Sequence, residues 1–248
     1  MRWPCGVRRT HWPEHIRSGM IAYEVRMGTV MAADKSDQVM ADPIYEQLRA
    51  AITTGELAPG EPLRQDEIAR NHGVSKIPVR EALLRLELDG LVLFRKNKGA
   101  VVRELSVHEV LNLMDIREAL ECKALELAVP HMVSGDFAAA RRVLEEYSQE
   151  TELTAWSLLN LRFHQILYEP CSNEPLLQMI EDVRARMSPF LRLAVTEASG
   201  FERPHREHCA ILDACQVGEV SNAVELLCRH IETTKKETAA RLRRRATS

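Results

Sequence analysis

Apolar residues recur every three to four positions through most of this chain, which is the spacing of one face of an α-helix. Near the start of the regular pattern, Ile44, Leu48 and Ile52 mark one such face. Residues 57–60, Leu-Ala-Pro-Gly, then interrupt it with two helix-breaking residues. A short second helix is predicted over residues 65–71.

A third helix is predicted after the turn at residues 71–73, Asn-His-Gly, because Asn and Gly tolerate a positive φ. Ser75 is placed to cap this helix by accepting a backbone N–H. Pro78 falls in the first turn, where a missing N–H removes no helical hydrogen bond. We expect the buried side of the helix to consist of Leu83, Leu84, Leu86 and Leu88.

The pattern changes after Gly90, which should end the third helix. Residues 91–105 predict two short strands around the polar segment 95–99, Arg-Lys-Asn-Lys-Gly. Helix, helix, turn, helix and β-hairpin, in this order, are the elements of a winged helix-turn-helix. We place this domain at residues 41–104.

The remaining chain predicts six helices, so the protein is expected to be mainly α, with an all-α bundle over residues 105–240 and a basic tail at 241–248. Ser106 and Glu109 have the spacing of a capping box that opens the first of these helices. Gly218 should divide the last two. The first three helices are expected at 106–129, 134–149 and 151–168, the fourth opens at 173–175, and residues 201–204 separate it from the fifth.

Residues 1–40 differ from this pattern because they show no sustained period. We expect this segment to be disordered. Met20, Met27, Met31 and Met40 all precede the first motif, so the alternative is an extension that results from a start codon chosen too far upstream.

The composition suits two modest domains, since 45% of the 248 residues are apolar. No apolar run approaches the roughly 18–20 residues of a membrane span, and the N-terminus lacks the apolar core of a secretory signal. We therefore expect a cytoplasmic protein. Its six cysteines form no C-x-x-C pair, and we expect buried, reduced thiols without a redox role.

Charge is segregated within the first domain. Residues 42–67 contain six acids and two bases, whereas residues 70–103 contain eight bases and three acids. The whole chain has a net charge of -3, so composition alone does not indicate nucleic acid. A basic third helix and hairpin tip do indicate it. The alternative interpretation is a solvated basic face.

Three histidines lie within apolar stripes of the later helices and should point inward: His164, His208 and His230. Asn160 precedes His164 by four residues, so both lie on one helix face. Because Gly218 turns the last two helices into a hairpin, the axial heights of His208 and His230 differ by only about 3 Å. A single inward histidine is more often a core residue. Three with matched positions favour a metal site.

Arg117 is a charged residue on an otherwise apolar face of the first bundle helix, where it requires a partner. A guanidinium can bind a carboxylate through two parallel hydrogen bonds, which would suit an acidic ligand. The alternative is an internal ion pair with Glu121, one turn further on.

The sequence resembles the GntR family of bacterial transcription regulators from about residue 43 to residue 236. The resemblance rests on residues 52–60, on Val-Arg-Glu-Ala-Leu at 79–83, on Leu-Asp-Gly-Leu at 88–91 and on Lys-Gly at 98–99. The family usually opens its third helix with Ser-Arg-Thr-Pro, whereas this chain has Ser-Lys-Ile-Pro, which alters the possible base contacts. The resemblance and the charge pattern together predict DNA contacts from Arg64, Ser75, Lys76, Pro78, Arg80, Lys98 and Gly99.

The C-terminal half resembles the FadR-type ligand-binding domain called FCD, and its six-helix length is similar to the VanR-like branch. In that domain an Asp or Asn, four residues before a His, joins two further His in holding a divalent metal. The resemblance therefore implies Asn160, His164, His208 and His230 as ligands. Three imidazoles suit Zn, Ni or another transition metal better than Mg or Ca.

We interpret the chain as a homodimeric transcriptional repressor that binds double-stranded operator DNA. We expect its release by a small carboxylate metabolite bound at the metal, with Arg117 as an effector contact. One alternative is a regulator whose metal is structural or is itself the signal. A second is a metalloenzyme fused to a DNA-binding domain, but no base is positioned beside the histidines, so we predict that the chain is not an enzyme.

Overall fold

The computed structural model describes residues 35–96, 98–195 and 202–246. These residues form nine α-helices and three strands, joined in places by single 3-10 turns. Their bounds are α1 Lys35–Thr54, β1 Pro62–Leu63, α2 Gln65–His72, α3 Lys76–Leu88, β2 Val92–Arg95, β3 Gly99–Val102, α4 Val107–Ala128, α5 Ser134–Gln149, α6 Leu153–Tyr168, α7 Glu174–Val195, α8 Glu202–Gln216 and α9 Val220–Ala246.

The fold class is confirmed: a winged helix-turn-helix precedes six helices. One element was not predicted, the short strand β1. Pro62 pairs with Val101 and Leu63 with Ala100, so β1 adds a third antiparallel strand to the hairpin in the order β1-β3-β2. A strand of two residues is too short to show an alternating pattern in the sequence.

The N-terminal segment predicted to be disordered lies largely outside the described residues. Its last six residues, 35–40, are helical and belong to α1, so the expected disorder does not extend to them. Pro43 lies inside this helix.

The turn before α3 forms as predicted, with Gly73 in the left-handed conformation at φ 65°. Ser75 is the N-cap of α3, but its side chain accepts no hydrogen bond from the helix. The physical reason is Pro78, which occupies the third helical position and has no N–H to donate there. The Ser75 hydroxyl therefore remains exposed at the start of the helix.

The core of the first domain is built where α1 and α3 pack against the strands. Val79, Leu83 and Leu86 of α3 are fully buried. Leu84 is half-buried, and the prediction for Leu88 is wrong, since this side chain is 73% exposed. Leu88 is the last residue of α3 and points away from the face on which α1 packs.

The helical bundle begins with the predicted capping box, in which the Ser106 hydroxyl accepts from the Glu109 backbone N–H and the Glu109 carboxylate accepts from the Ser106 N–H. Helix α4 packs against α7 and α9.

Further along the chain, helix α8 already begins at Glu202. The expected break over residues 201–204 is therefore too long, because Pro204 is accommodated in the first turn.

The two domains share a core through α7. Ala185 of α7 is buried among the apolar side chains of the N-terminal domain. Arg49 Nη2 lies 3.3 Å from Glu181 Oε1, and Arg186 Nε donates to the backbone oxygen of Asp89 at 2.7 Å. The last turn of α3 is thus held by a helix of the bundle.

Cys122 of α4 and Cys228 of α9 bring their sulfur atoms into contact, and the two Cα atoms are 6.3 Å apart. Their redox state stays a prediction. Cys171, Cys209 and Cys215 are free. Spacing along the chain could not reveal the pair, because 106 positions separate its members.

Within the described ranges, no helix combines the length and the apolar character that crossing a bilayer requires.

Two leucines at the end of α3 provide a matched test of this packing. Leu86→Ala removes a fully buried side chain and should lower the free energy of unfolding by about 2–5 kcal/mol. Leu88→Ala should change it by less than about 0.5 kcal/mol, because this side chain is exposed. Urea titration followed by circular dichroism measures both. Equal losses would contradict the packing of α3 described above.

Candidate functional site

Four of the predicted DNA-contacting residues surround one surface cleft of about 670 Å³. The cleft is formed where the start of α2, the start of α3 and the tip of the β2–β3 hairpin meet. Its lining includes Gly99, two acids and an excess of bases: Asp66, Glu67, Arg64, Arg70, Lys76 and Lys98. These residues are far apart in the sequence, and the fold brings them to one face.

Ser75, the N-cap of α3, and Arg80, in the second turn of α3, are both exposed, but neither lines this cleft. Pro78, for which a DNA contact was predicted, is buried, so its ring packs inside the domain. Its contribution is to the start of α3, through the missing N–H.

Lys76 is paired with Asp66 of α2, and both side chains are more than 60% exposed. An ion pair at such an exposed position contributes little to stability. A phosphate group can therefore replace Asp66 at Lys76 without a large cost.

A second candidate site lies inside the bundle. His164 of α6, His208 of α8 and His230 of α9 are at most 6% exposed, and one ligand nitrogen from each lies within 4.8 Å of the others. His208 Nε2 is 3.4 Å from His230 Nε2. Gly218, with φ 76°, makes the turn that brings α8 and α9 to matching heights. The predicted convergence of the three histidines is confirmed.

The proton on His164 can be assigned from its neighbours. The Tyr168 hydroxyl donates its one proton to Glu121 Oε2 at 2.8 Å, so it must accept from His164 Nδ1, which is 3.0 Å away. His164 therefore carries its proton on Nδ1. Its Nε2 keeps a lone pair, and this atom is buried without a partner among the described residues.

A carboxylate fixes His230 in the same way. His230 Nδ1 lies 2.6 Å from Glu207 Oε2, and Glu207 also accepts from Arg203 Nη1 at 2.6 Å. Because Glu207 can only accept, Nδ1 of His230 carries the proton and Nε2 is left with a lone pair. In His208 it is Nδ1 that has no partner among the described side chains.

Burial keeps the three imidazoles neutral. Removal from water lowers the pKa of His164 and His208 well below its ordinary value. Burial also lowers the pKa of His230, although its hydrogen bond to Glu207 opposes this effect. Neutral imidazole is the form that binds a metal.

The chemistry of these donors fits a transition metal. Two of the three histidines have the tautomer that leaves Nε2 available, each fixed by a second group. Asn160, the fourth predicted ligand, is half-buried on α6 one turn before His164.

Arg117 and Glu121 form the ion pair that was the alternative interpretation for Arg117. Arg117 is 6% exposed, and its Nε and Nη2 donate to Glu121 at 2.9 and 3.2 Å. Arg184 of α7 donates to the same carboxylate at 2.8 Å. Burial alone would raise the pKa of Glu121, but the two guanidinium groups and the Tyr168 hydroxyl lower it to about 2.

Arg184 and Tyr168 were missed by the sequence analysis. For Arg184 a signal existed: it lies between Ile180, Val183 and Met187, which are all buried, so it is a charge within an apolar stripe like Arg117. For Tyr168 there was none, because an aromatic residue in such a stripe is ordinary core.

Comparison with known proteins assigns both halves of the chain. Residues 40–102 match the family model "Bacterial regulatory proteins, gntR family", and residues 112–233 match the model "FCD domain". The chain is 32% identical over 173 residues to the Bacillus subtilis (strain 168) "Uncharacterized HTH-type transcriptional regulator YdhC", a match that covers 68% of this chain and 77% of that protein. The "HTH-type transcriptional repressor RspR" of Escherichia coli (strain K12) is 26% identical over 198 residues, with 79% and 87% covered.

Solved structures agree with these matches. A "transcriptional regulator (GntR family member)" from Pseudomonas syringae pv. tomato str. DC3000 is 32% identical, with a TM-score of 0.54 and 84% and 88% of the two chains covered. "E. coli McbR/YncC" has a TM-score of 0.69 at 24% identity, with 78% and 94% covered. At that identity the second similarity concerns the fold alone.

Glu121 is the residue on which the buried network can be tested. Glu121→Gln leaves two buried guanidinium groups without a charged partner and should lower the free energy of unfolding by about 3–5 kcal/mol. Glu126→Gln, on the same helix at a half-exposed position, is the control and should change it by less than about 0.5 kcal/mol. Urea unfolding measures both, and a Glu121 variant as stable as its control would contradict the network.

Proposed function

The chain belongs to the GntR family of bacterial transcriptional regulators and carries an FCD domain, and we propose that it is a homodimeric repressor released by a small carboxylate bound at a metal. The family establishes a DNA-binding regulator and not an enzyme. The metalloenzyme alternative is therefore set aside. The VanR-like branch remains a prediction.

The basic cleft supports the DNA-binding half of the proposal. In this proposal Arg64, Lys76 and Lys98 contact phosphates, and the exposed side chains of Ser75, the N-cap of α3, and Arg80, on α3, face the duplex. We name α3 the recognition helix and propose that it enters the major groove while the hairpin tip lies along the neighbouring minor groove. Pro78 shapes the start of the helix in this arrangement.

One winged domain presents one recognition helix, and two copies related by a two-fold axis would match a palindromic operator. We therefore propose a homodimer that acts in the cytoplasm, where the DNA is. The outcome for transcription is taken to be repression, in line with relatives that are named repressors.

The histidine cluster supports the metal-binding part of the proposal. His164, His208 and His230 would hold a divalent ion, most simply Zn, with Ni or another transition metal as substitutes. Asn160 would complete the set through its amide oxygen. The single strongest observation is that Tyr168 and Glu207 hold two of the three imidazoles, His164 and His230, in the tautomer that leaves Nε2 available to a metal.

An acidic effector follows from the charges around that site. Once bound, the metal would supply open coordination positions for a carboxylate oxygen. Two guanidinium groups, Arg117 and Arg184, share the single carboxylate of Glu121, so the buried network linked to His164 has an excess positive charge that favours an anion. An effector that stabilises one packing of the bundle need supply only about 1–3 kcal/mol of coupling to change DNA affinity 5- to 150-fold.

A second candidate function is a regulator that senses the metal alone. It is favoured by the same fixed tautomers, since the site is preorganised for an ion without any organic ligand. Measuring operator binding in chelator, with zinc, and with zinc plus carboxylates separates the two functions. If a carboxylate is the effector, adding it to the zinc-loaded protein changes operator binding. If the metal alone is the signal, adding a carboxylate changes nothing further.

DNA binding should depend on the recognition helix. Arg80→Ala should weaken binding by about 1–3 kcal/mol, and Lys76→Ala should weaken binding to all sequences and lower the salt dependence by about one counterion. Fluorescence anisotropy with a duplex that the wild-type protein selects from a random library measures this. Lys123→Ala, at an exposed position on α4, is the control. Unchanged affinity in the α3 variants would overturn the DNA-binding surface.

Metal binding should distinguish two histidines on α8. His208→Ala should lower zinc affinity by more than about 100-fold, because outer-shell partners alone are worth about 10–100-fold. His205→Ala, three residues earlier and half-buried beside Tyr147, should keep it. Calorimetric zinc titration after chelation gives the affinities. If both variants lose zinc affinity equally, or if neither loses it, the His208 site is removed from the proposal.

A further inference from the structure

Arg184 is a buried cation whose hydrogen bonding is incomplete. It is 7% exposed, and its Nε donates to Glu121 Oε1 at 2.8 Å. Its Nη1 is buried without a partner among the residues that the structure describes. Leaving a buried charged donor without an acceptor is costly, so this atom indicates a ligand group that completes the site.

Arg117 does not share this property. Both its Nε and its Nη2 are used on the two oxygens of Glu121, so one edge of its guanidinium is occupied by the internal ion pair. Arg184 donates a hydrogen bond to the same carboxylate only through its Nε. Of the two buried guanidinium groups, Arg184 is the one with a buried donor still to satisfy.

The unpartnered donor belongs to the same network as the histidine cluster. Glu121 receives Arg184 on one oxygen and the Tyr168 hydroxyl on the other, and Tyr168 in turn holds His164. His164 Nε2 is also buried without a partner among the described atoms. One end of the network therefore lacks an acceptor for a guanidinium, and the other end lacks a cation for an imidazole.

We propose that Arg184 binds the carboxylate of the effector, and that α7 transmits this contact to the recognition helix. A carboxylate on the metal has a second oxygen, and Arg184 Nη1 is the donor suited to it. This inference rests on the proposed function, since it takes the metal and the acidic effector as given, and it assigns the guanidinium contact to Arg184.

The transmission follows from the two residues after Arg184. Ala185 is 5% exposed and packs in the core of the DNA-binding domain. Arg186 donates from Nε to the backbone oxygen of Asp89, the C-cap of α3, at 2.7 Å. Successive residues rise by only about 1.5 Å along a helix, so three neighbours on α7 contact the effector site, the domain core and the end of the recognition helix.

The experiment uses the full-length chain loaded with zinc. Acetate, lactate, malonate and citrate are titrated separately by calorimetry, and those that bind are tested for release of the selected duplex. Arg184→Lys keeps a positive charge beside Glu121 but lacks the second guanidinium nitrogen. It should bind zinc as the wild type does and bind the carboxylate about 10- to 100-fold more weakly, which is the worth of one hydrogen bond to a charged group.

Arg186→Met tests whether α7 transmits effector binding to the recognition helix. This variant should keep the wild-type affinities for zinc and for the carboxylate, but the carboxylate should change its DNA affinity by a factor several times smaller than in the wild type. Arg184→Met, which lacks the charge altogether, should show at least the loss of Arg184→Lys. Should it fail to fold, Arg184→Lys alone decides the assignment.

The outcomes separate the two levels of inference. If no carboxylate of the four binds the zinc-loaded wild type, the acidic effector fails and Arg184 fails with it. If the wild type binds one and Arg184→Lys binds it equally well, only the role of Arg184 is wrong. If Arg186→Met responds to the carboxylate like the wild type, the route through α7 is wrong.

Discussion

The buried carboxylate of Glu121 is the constraint on which the organisation of the bundle depends. It accepts hydrogen bonds from Arg117 of α4, Tyr168 at the end of α6 and Arg184 of α7. A carboxylate can be buried only when such donors compensate for its lost hydration. Three helices therefore meet at fixed positions around one charge. The Tyr168 contact also sets the tautomer of His164, which links the stability of the bundle to its chemistry.

Helix α7 connects the interior of the bundle directly to the winged domain. It provides a charge to the interior of the bundle, an apolar side chain to the core of the winged domain, and a hydrogen bond to the carbonyl of Asp89. Packed interiors repack between discrete arrangements and deform little. A change in the bundle that moves α7 must therefore be accommodated at the end of α3.

Much of the fold and part of the site could be predicted because the signals are local. Helical periodicity, the capping box at Ser106 and the turns at Gly73 and Gly218 depend on neighbouring residues, and each fell where the structure has it. The inward orientation of His164 and its partners follows from the same periodicity. An error arose where the apolar pattern was followed without its period, as for Leu88, which comes two residues after the buried Leu86 and therefore lies on the opposite side of α3.

The sequence by itself determined the order of the elements, the segregation of positive charge onto α3 and the hairpin, and the histidines that face inward. Only the tertiary structure decided which groups complete one another: Arg184 and Glu121 are 63 positions apart, Tyr168 and Glu121 are 47 apart, and Cys122 and Cys228 are 106 apart. The pairing of such distant residues is set by how whole helices pack. A short-range pattern contains no information about the partner that a buried charge will meet.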